Sequence, residues 1–305
     1  MGPGKRLPER RAGLGRPGLA AYERHHPMTS DSAAPEGPDG GLADEPPAFD
    51  VSVAHQARIY DYWLGGKDNF AADRKAAEAA AAAYPGVVSG SRANRQFLAR
   101  SVTALAREHG IRQFLDIGTG IPSSGHTHEV AQSVAPDSHV VYVDYDPVVL
   151  AHARALLAGH PEGTTAYLDA DLRDTQTILS QAAKTLDFSQ PVAIILLAIL
   201  QAIPDSDDPY GIVETLVAAV PSGSWLVISH PASDIEPEKI AAATARLNEL
   251  SAQQFTLRDH DGVLRFFRGM ELAEPGVIRM EDWRPDSDLE KRFESAVWAG
   301  MGRKP

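Results

Sequence analysis

The sequence predicts an α/β fold, a Rossmann-like sheet of mostly parallel strands flanked by helices, and three stretches predict it. Gln113-Phe-Leu-Asp-Ile-Gly-Thr-Gly-Ile-Pro122 is a short apolar run that breaks into glycine. About twenty residues later His139-Val-Val-Tyr-Val-Asp144 reads as a second strand with an acidic end, the spacing of a βαβ unit. Val192 to Leu200 is apolar without alternation, as expected of a central parallel strand covered on both faces.

In chain order, residues 1–48 are rich in Pro, Gly, Ala and charge, lack apolar periodicity, and are expected to form a disordered tail. Met28 within it is an alternative start to Met1. Order is expected from Phe49. Tyr60, Tyr62, Trp63 and Phe70 surround Gly65-Gly66, which predicts a helix ending in a tight turn with a glycine hinge. Asp73 to Tyr84 is an alanine-rich helix stopped by Pro85-Gly86. Ser91 is expected to cap a second helix, with Phe97, Leu98, Val102 and Leu105 on one face and its end at Gly110. Arg92, Asn94 and Arg95 would lie in its first turns.

After the first strand, Gly118 and Gly120 permit backbone angles that a Cβ hinders and let a ligand approach the main chain, the logic of a dinucleotide or adenosyl site. The dinucleotide fingerprint needs a glycine at 123, where Ser123 stands, and this disfavours NAD. Gly125 to Ala135 should be a helix whose N-terminal amides face the ligand's polar end. His126, His128 and Glu129 sit at its start but lack the i, i+4 spacing of helical metal ligands, so no metal is predicted. Asp146-Pro147 makes an N-cap and first-turn pair for the next helix, which leaves Asp144 for the ligand. Two hydroxyls on adjacent ribose carbons can donate to one such carboxylate.

Thr165 to Leu168 is a third strand, and Asp174 caps the helix after it. Asp208-Pro209 starts a helix through Val220. Ser224 to Ser229 forms a fifth strand ending at His230-Pro231, and ligands of open α/β sheets sit at strand ends, so His230 is a candidate for acceptor binding or proton removal. A helix from Glu236 to Leu250, an amphipathic segment near Gly262 to Phe267, and extended runs at Met270–Met280 and Ser295–Met301 complete the chain.

Composition narrows the function. With 305 residues and 43% hydrophobic content the chain can bury a sizeable core, and one α/β domain with an appendage is the economical reading. A formal net charge of -12 disfavours nucleic acid as the main partner. The absence of cysteine excludes disulfides and thiolate chemistry and fits a cytoplasmic protein. The longest apolar run is far below the roughly 20 residues of a membrane helix, so no membrane partner is expected.

Asp-Ile-Gly-Thr-Gly at 116–120, Val-Asp-Tyr-Asp-Pro at 143–147 and Ala-Asp-Leu-Arg-Asp at 170–174 resemble class I S-adenosylmethionine-dependent methyltransferases. Ala57-Arg-Ile-Tyr-Asp-Tyr-Trp-Leu-Gly-Gly-Lys-Asp-Asn-Phe70, Asn94-Arg95-Gln96-Phe97 and Gly223-Ser-Trp-Leu-Val-Ile-Ser-His230 are similar to an actinobacterial family of such enzymes whose acceptor is mostly unassigned. The resemblance implies a seven-stranded sheet with a closing antiparallel strand. It also implies a helical cap over residues 49–110 on a core of 111–305. The cofactor would be S-adenosylmethionine, giving S-adenosylhomocysteine. Asp116, Gly118, Thr119, Gly120, Asp144, Tyr145, Asp171, Leu172, Gln201, Asn69 and Arg95 are then expected around it, with Asp171 accepting from the adenine amino group, Leu172 flanking the ring and Arg95 meeting the carboxylate. Many relatives carry histidine where Gln201 stands, so a histidine base at that position is absent here.

Methyl transfer to a small or medium-sized acceptor is therefore expected, with alignment and water exclusion supplying most of the catalysis. If the acceptor needs deprotonation, His230 or a Tyr60 of lowered pKa would assist. The rival class is a non-catalytic S-adenosylmethionine-binding protein, and an NAD dehydrogenase is a distant third. Neither the acceptor nor the oligomeric state is legible.

Overall fold

The computed structural model describes residues 50–122, 125–156, 160–288 and 290–305. The tail, Met28 and Ser123 lie outside the described residues.

The sheet is built around β1 (Gln113–Ile117), β2 (His139–Asp144), β3 (Thr164–Asp169), β4 (Ala193–Leu197) and β5 (Trp225–Pro231), all parallel in the order β3-β2-β1-β4-β5. Beyond β5, an antiparallel strand at the C-terminus pairs with it from Trp225↔Arg303 to Pro231↔Val297. Its far edge is covered by two short segments, β6 (Glu271–Leu272) and β7 (Ile278–Arg279), so we number the C-terminal strand (Val297–Arg303) β8. The sheet has seven positions with the outer edge interrupted, in accord with the expected class I topology.

The apolar runs lack alternation because both faces are covered. Leu115, Val141, Ile194, Leu196, Leu226 and Ile228 point into one core. Phe114, Val140, Ile195 and Val227 point into the other, where Phe97, Leu98, Val102 and Leu105 meet them. Those four belong to α3 (Gly86–Glu108), the third of the N-terminal helices after α1 (Gln56–Trp63) and α2 (Ala71–Ala83). Ala76, Ala77 and Ala80 of α2 form a third core with Ile240, Ala243 and Leu247 of a later helix, the small alanines allowing close approach.

Around the sheet run α4 (Thr127–Val134), α5 (Pro147–Leu156), α6 (Thr175–Ala182), α7 (Pro209–Ala218), α8 (Pro237–Leu250) and α9 (His260–Leu264). Three expected caps hold. Asp146 accepts from Val148 N at 2.8 Å, Asp174 from Thr177 N at 3.0 Å and Asp208 from Gly211 N at 3.1 Å. Among the described residues, no helix is long and apolar enough to cross a membrane.

Ser91 does not cap a helix. Pro85 occupies the N-cap of α3, where its fixed φ suits a helix start, and Ser91 lies further along with its hydroxyl donating back to Val87 O at 2.9 Å. The Gly65-Gly66 turn is also more constrained than a hinge. Asp61 Oδ2 accepts from Asp68 N at 3.0 Å and from Asn69 Nδ2 at 2.8 Å, and Gly66 N bonds to Asp61 O at 2.9 Å. A Cβ on Gly66 would run into the Asp61 carboxylate. Gly66→Ala should therefore cost about 1 kcal/mol by forcing that side chain aside. Thermal melting checks this, and an unchanged midpoint would mean that the carboxylate moves freely.

Candidate active site

The glycine turn after β1 is organised by its neighbours. Gly118 has φ +77°, donates to Val143 O at 2.8 Å, and faces Ile199 so closely that a Cβ would collide with it. Thr119 Oγ1 lies 3.3 Å from the same carbonyl. Gly120, at φ +67°, donates its N–H to Asp144 Oδ2 at 2.9 Å. Asp144 Oδ1 accepts from Tyr145 N at 2.8 Å and Asp146 N at 3.0 Å. A carboxylate has about four acceptor directions. Three are taken by backbone amides, so Oδ2 keeps room for one ligand hydroxyl, where the sequence suggested a hold on two.

These residues line a cleft of about 690 Å³, mouth included, together with Asp116, Arg95, His55 and Gln253. Asp116 is buried and accepts from the Thr127 hydroxyl at 2.6 Å. Burial pushes its carboxyl up to about 6, against the lowering effects of the Thr127 hydrogen bond and Arg95. Burial likewise raises Asp144, opposed by its amide donors. Arg95 extends from α3 and donates to Gly125 O at 2.8 Å. The α4 N-terminus is less available than expected, because Glu129 accepts from Gly125 N and His126 N, and His128 N donates to Tyr142.

Tyr145 continues into an adjoining cleft of about 850 Å³ with Asp171, Leu172, Val143 and Ile203. Its walls mix apolar residues with Asp144, Gln253 and Gln254, and Asp171 is ion-paired to Arg173 at 3.0 Å. His55 packs edge-on against Tyr145, its Nδ1 2.5 Å from Asp146 Oδ2. Gln253 touches both His55 and Tyr145. Neither His55 nor Gln253 was signalled by any local pattern, since both reach the cleft from loops flanking helices.

On the other side, Gln56, Tyr60, Asn94 and Ala198 form a wall shared with a third cavity of about 790 Å³. A chain of hydrogen bonds crosses this wall. Ser229 Oγ donates to Asn94 Oδ1 at 2.7 Å, Asn94 Nδ2 donates to Tyr60 Oη at 3.0 Å, and Tyr60 donates to Ser91 O at 2.9 Å. Ala198, just past β4, has φ +51°, a left-handed angle that costs a non-glycine residue roughly 1–2 kcal/mol. It turns its carbonyl toward Gln56 Nε2 and Gln201 Nε2, each at 2.6 Å.

Four expected positions have surroundings other than those expected. His230 reaches none of these cavities; it is fully buried, with Nδ1 2.9 Å from Pro231 O and Nε2 2.8 Å from Arg258 Nη1. A carbonyl only accepts and a guanidinium only donates, so Nδ1 carries the proton and the Nε2 lone pair is occupied. Burial and then Arg258 push the imidazole down to about 3. Tyr60 does line the wall, yet burial raises its phenol instead of lowering it. Asn69 lines no cavity, its amide holding the turn through Asp61 and Gly66. Gln201 lines the third cavity and not the cleft of the glycine turn.

Among the described residues, no group of three or more His, Asp or Glu side chains is placed to hold a metal ion. A parallel β3-β2-β1-β4-β5 sheet closed by an antiparallel strand, with its glycine turn facing a carboxylate at the tip of β2, defines the class I methyltransferase architecture. The chain belongs to the S-adenosyl methyltransferase family, whose model matches residues 43–305. It is similar to a DUF574-family protein from Streptomyces avermitilis, with 43% identity over 84% of this chain and 99% of that one and a TM-score of 0.81. A protein from Thermobifida fusca described as a candidate methyltransferase shares 39% identity over 86% and 99% of the two chains, with a TM-score of 0.78. No curated protein matches. The chain is a methyltransferase that uses S-adenosylmethionine.

Proposed function

We propose that the glycine-turn cleft holds S-adenosylmethionine and that its methyl group passes to a small molecule seated in the third cavity. The observation that carries this is the shared wall of Gln56, Tyr60, Asn94 and Ala198, which puts an apolar chamber next to the cleft. The residues present fit the cofactor. Two buried carboxylates suit a cationic ligand, the half-buried glycine turn admits close approach, and Val143, Leu172 and Ile203 offer apolar surface for a purine ring in the adjoining cleft.

When bound, S-adenosylmethionine supplies a methyl group on a positively charged sulfur, reactive toward a lone pair without further activation. The chain's residues do the rest. Asp144 would accept a ribose hydroxyl at Oδ2, Asp171 would accept from the adenine edge, and Arg95 would meet the ligand's carboxylate. Asp116 would face the cationic portion. The helical segment 49–110 would act as the cap that excludes water, and 111–305 as the core. We place the protein in an actinobacterial cytoplasm, a reading supported by its lack of cysteine and by the sources of two of the structures it resembles. Release of S-adenosylhomocysteine in the presence of a metabolite extract tests transfer, and cofactor binding without any turnover would favour the non-catalytic rival.

Protonation of Asp116 gives a pH test. Its carboxyl is ionised above about pH 6 and neutral below. A cationic ligand binds the ionised form better, so cofactor affinity should fall with acidification, up to about tenfold per pH unit below that point. Calorimetry across this range should show the decline, and Asp116→Asn should flatten it. A wild-type affinity independent of pH would remove Asp116 from the site.

A further inference from the structure

We propose that the methyl acceptor is a neutral, largely apolar amine that donates its N–H to Gln201 Oε1 in the third cavity. This rests on the methyltransferase reading above.

The cavity walls come from α1, α3, α8 and the β5 end, with Ile59, Trp63, Val87, Ile240, Leu247 and Leu257 among them. Among the described residues lining it there is no Asp, Glu, Lys, Arg or His. A nucleotide, a phosphorylated compound or an amino-acid zwitterion would lose its hydration here and gain no counter-charge. With its mouth and the solvent in it included, the space measures about 790 Å³.

Among the lining side chains, two buried polar atoms lack a hydrogen-bond partner. Gln201, only 4% exposed, has an Oε1 without a hydrogen-bond partner, and so does Gln56. Their orientation is not arbitrary. Both Nε2 groups donate to Ala198 O, and a carbonyl accepts only from nitrogen, so each Oε1 must point away from it. A buried acceptor left without a donor is costly, which makes these oxygens sockets for a donor carried by a ligand. Gln56 also borders the cofactor cleft, so the sockets lie where the two chambers meet.

Among the described residues lining the third cavity there is no carboxylate or imidazole to take a proton, and this selects nitrogen. Tyr60 is held by Asn94 and Ser91 with its phenol raised, His230 is sealed behind Arg258, and His55 stands on the Asp144–Asp146 side of the cleft. The nucleophile must therefore carry a reactive lone pair while neutral, as an amine does and an alcohol does poorly. The nitrogen lone pair forms the new N–C bond to the methyl carbon, the C–S bond breaks with its electron pair on sulfur, and a nitrogen-bound proton then leaves to water. Positive charge develops on nitrogen during the step, and amide oxygens stabilise it. A phenolate or carboxylate would meet the same oxygens as repulsive dipoles.

The test uses para-butylaniline, with para-butylphenol and para-butylbenzoate as arms of equal shape. Calorimetry on the full chain, with S-adenosylhomocysteine present, should show the amine and the neutral phenol, both donors, binding and the benzoate not at all. With S-adenosylmethionine, mass spectrometry should find the N-methyl product. Gln201→Leu should weaken amine binding about tenfold and leave cofactor affinity within about twofold. Ala243→Phe, which fills the chamber from α8, should abolish amine binding with cofactor affinity kept, and that retained affinity reports a folded protein. Methylation of the phenol oxygen, binding of the benzoate equal to that of the amine, or an amine affinity unaffected by Gln201→Leu, overturns the proposal. If S-adenosylmethionine itself fails to bind the wild type, the underlying methyltransferase reading fails instead.

Discussion

Asp144→Ala is expected to weaken S-adenosylmethionine binding by about 1–3 kcal/mol, roughly five- to 150-fold. Two losses add. A ribose hydroxyl loses its acceptor at Oδ2, and the amides of Gly120, Tyr145 and Asp146 lose the carboxylate that fixes the turn. Comparing adenosine with deoxyadenosine separates them. The wild type should prefer adenosine, whereas the variant should bind both equally weakly, since the shared remainder reports only the loosened turn. An unchanged affinity in a folded variant would move the ribose away from β2.

The parts of this fold legible in the sequence are those encoded by local pattern. Ile194 and Leu226 sit in unbroken apolar runs, as strands covered on both faces require. Asp144 was legible because its distance from Gly118 is fixed by one strand, one turn and one helix. The divided outer edge at β6 and β7 was read as one extended run, since nothing local marks where pairing with β8 stops.

Where surroundings differ from expectation, the cause is a partner or a turn that no local pattern marks. His230 looked like a base at a strand tip until Arg258, arriving after α8, took its lone pair. Asn69 looked like a cleft residue, but Asp61 holds it one turn away. Gln201 was placed with the cofactor, yet the left-handed Ala198 swings the β4 exit so that Gln201 faces the apolar chamber. Ser91 had the chemistry of a cap, and Pro85 had already started the helix. Propensity names what a side chain can do, and tertiary partners decide which option is used.

Arg258→Leu is the second large effect, and it falls on stability. The Arg258 side chain is 4% exposed. It donates to Leu200 O at 3.0 Å, Ile203 O at 2.8 Å, Asp205 Oδ1 at 2.7 Å and His230 Nε2 at 2.8 Å. One guanidinium thus ties the whole β4 exit, including the segment carrying Gln201, to the end of β5. Leucine fills much of the space but supplies no donor, so three inner acceptors are stranded in the core, while the exposed Asp205 turns to water. Breaking such a buried network costs about 3–5 kcal/mol, which for a chain of this size lowers the melting temperature by about 10 °C. Cofactor affinity should change less than stability, because none of these groups lines the glycine-turn cleft. His230→Leu added to Arg258→Leu should recover part of the loss by removing one stranded acceptor and packing two apolar side chains together. A single variant that melts within a degree or two of wild type would show that the β4 exit is held by something other than Arg258.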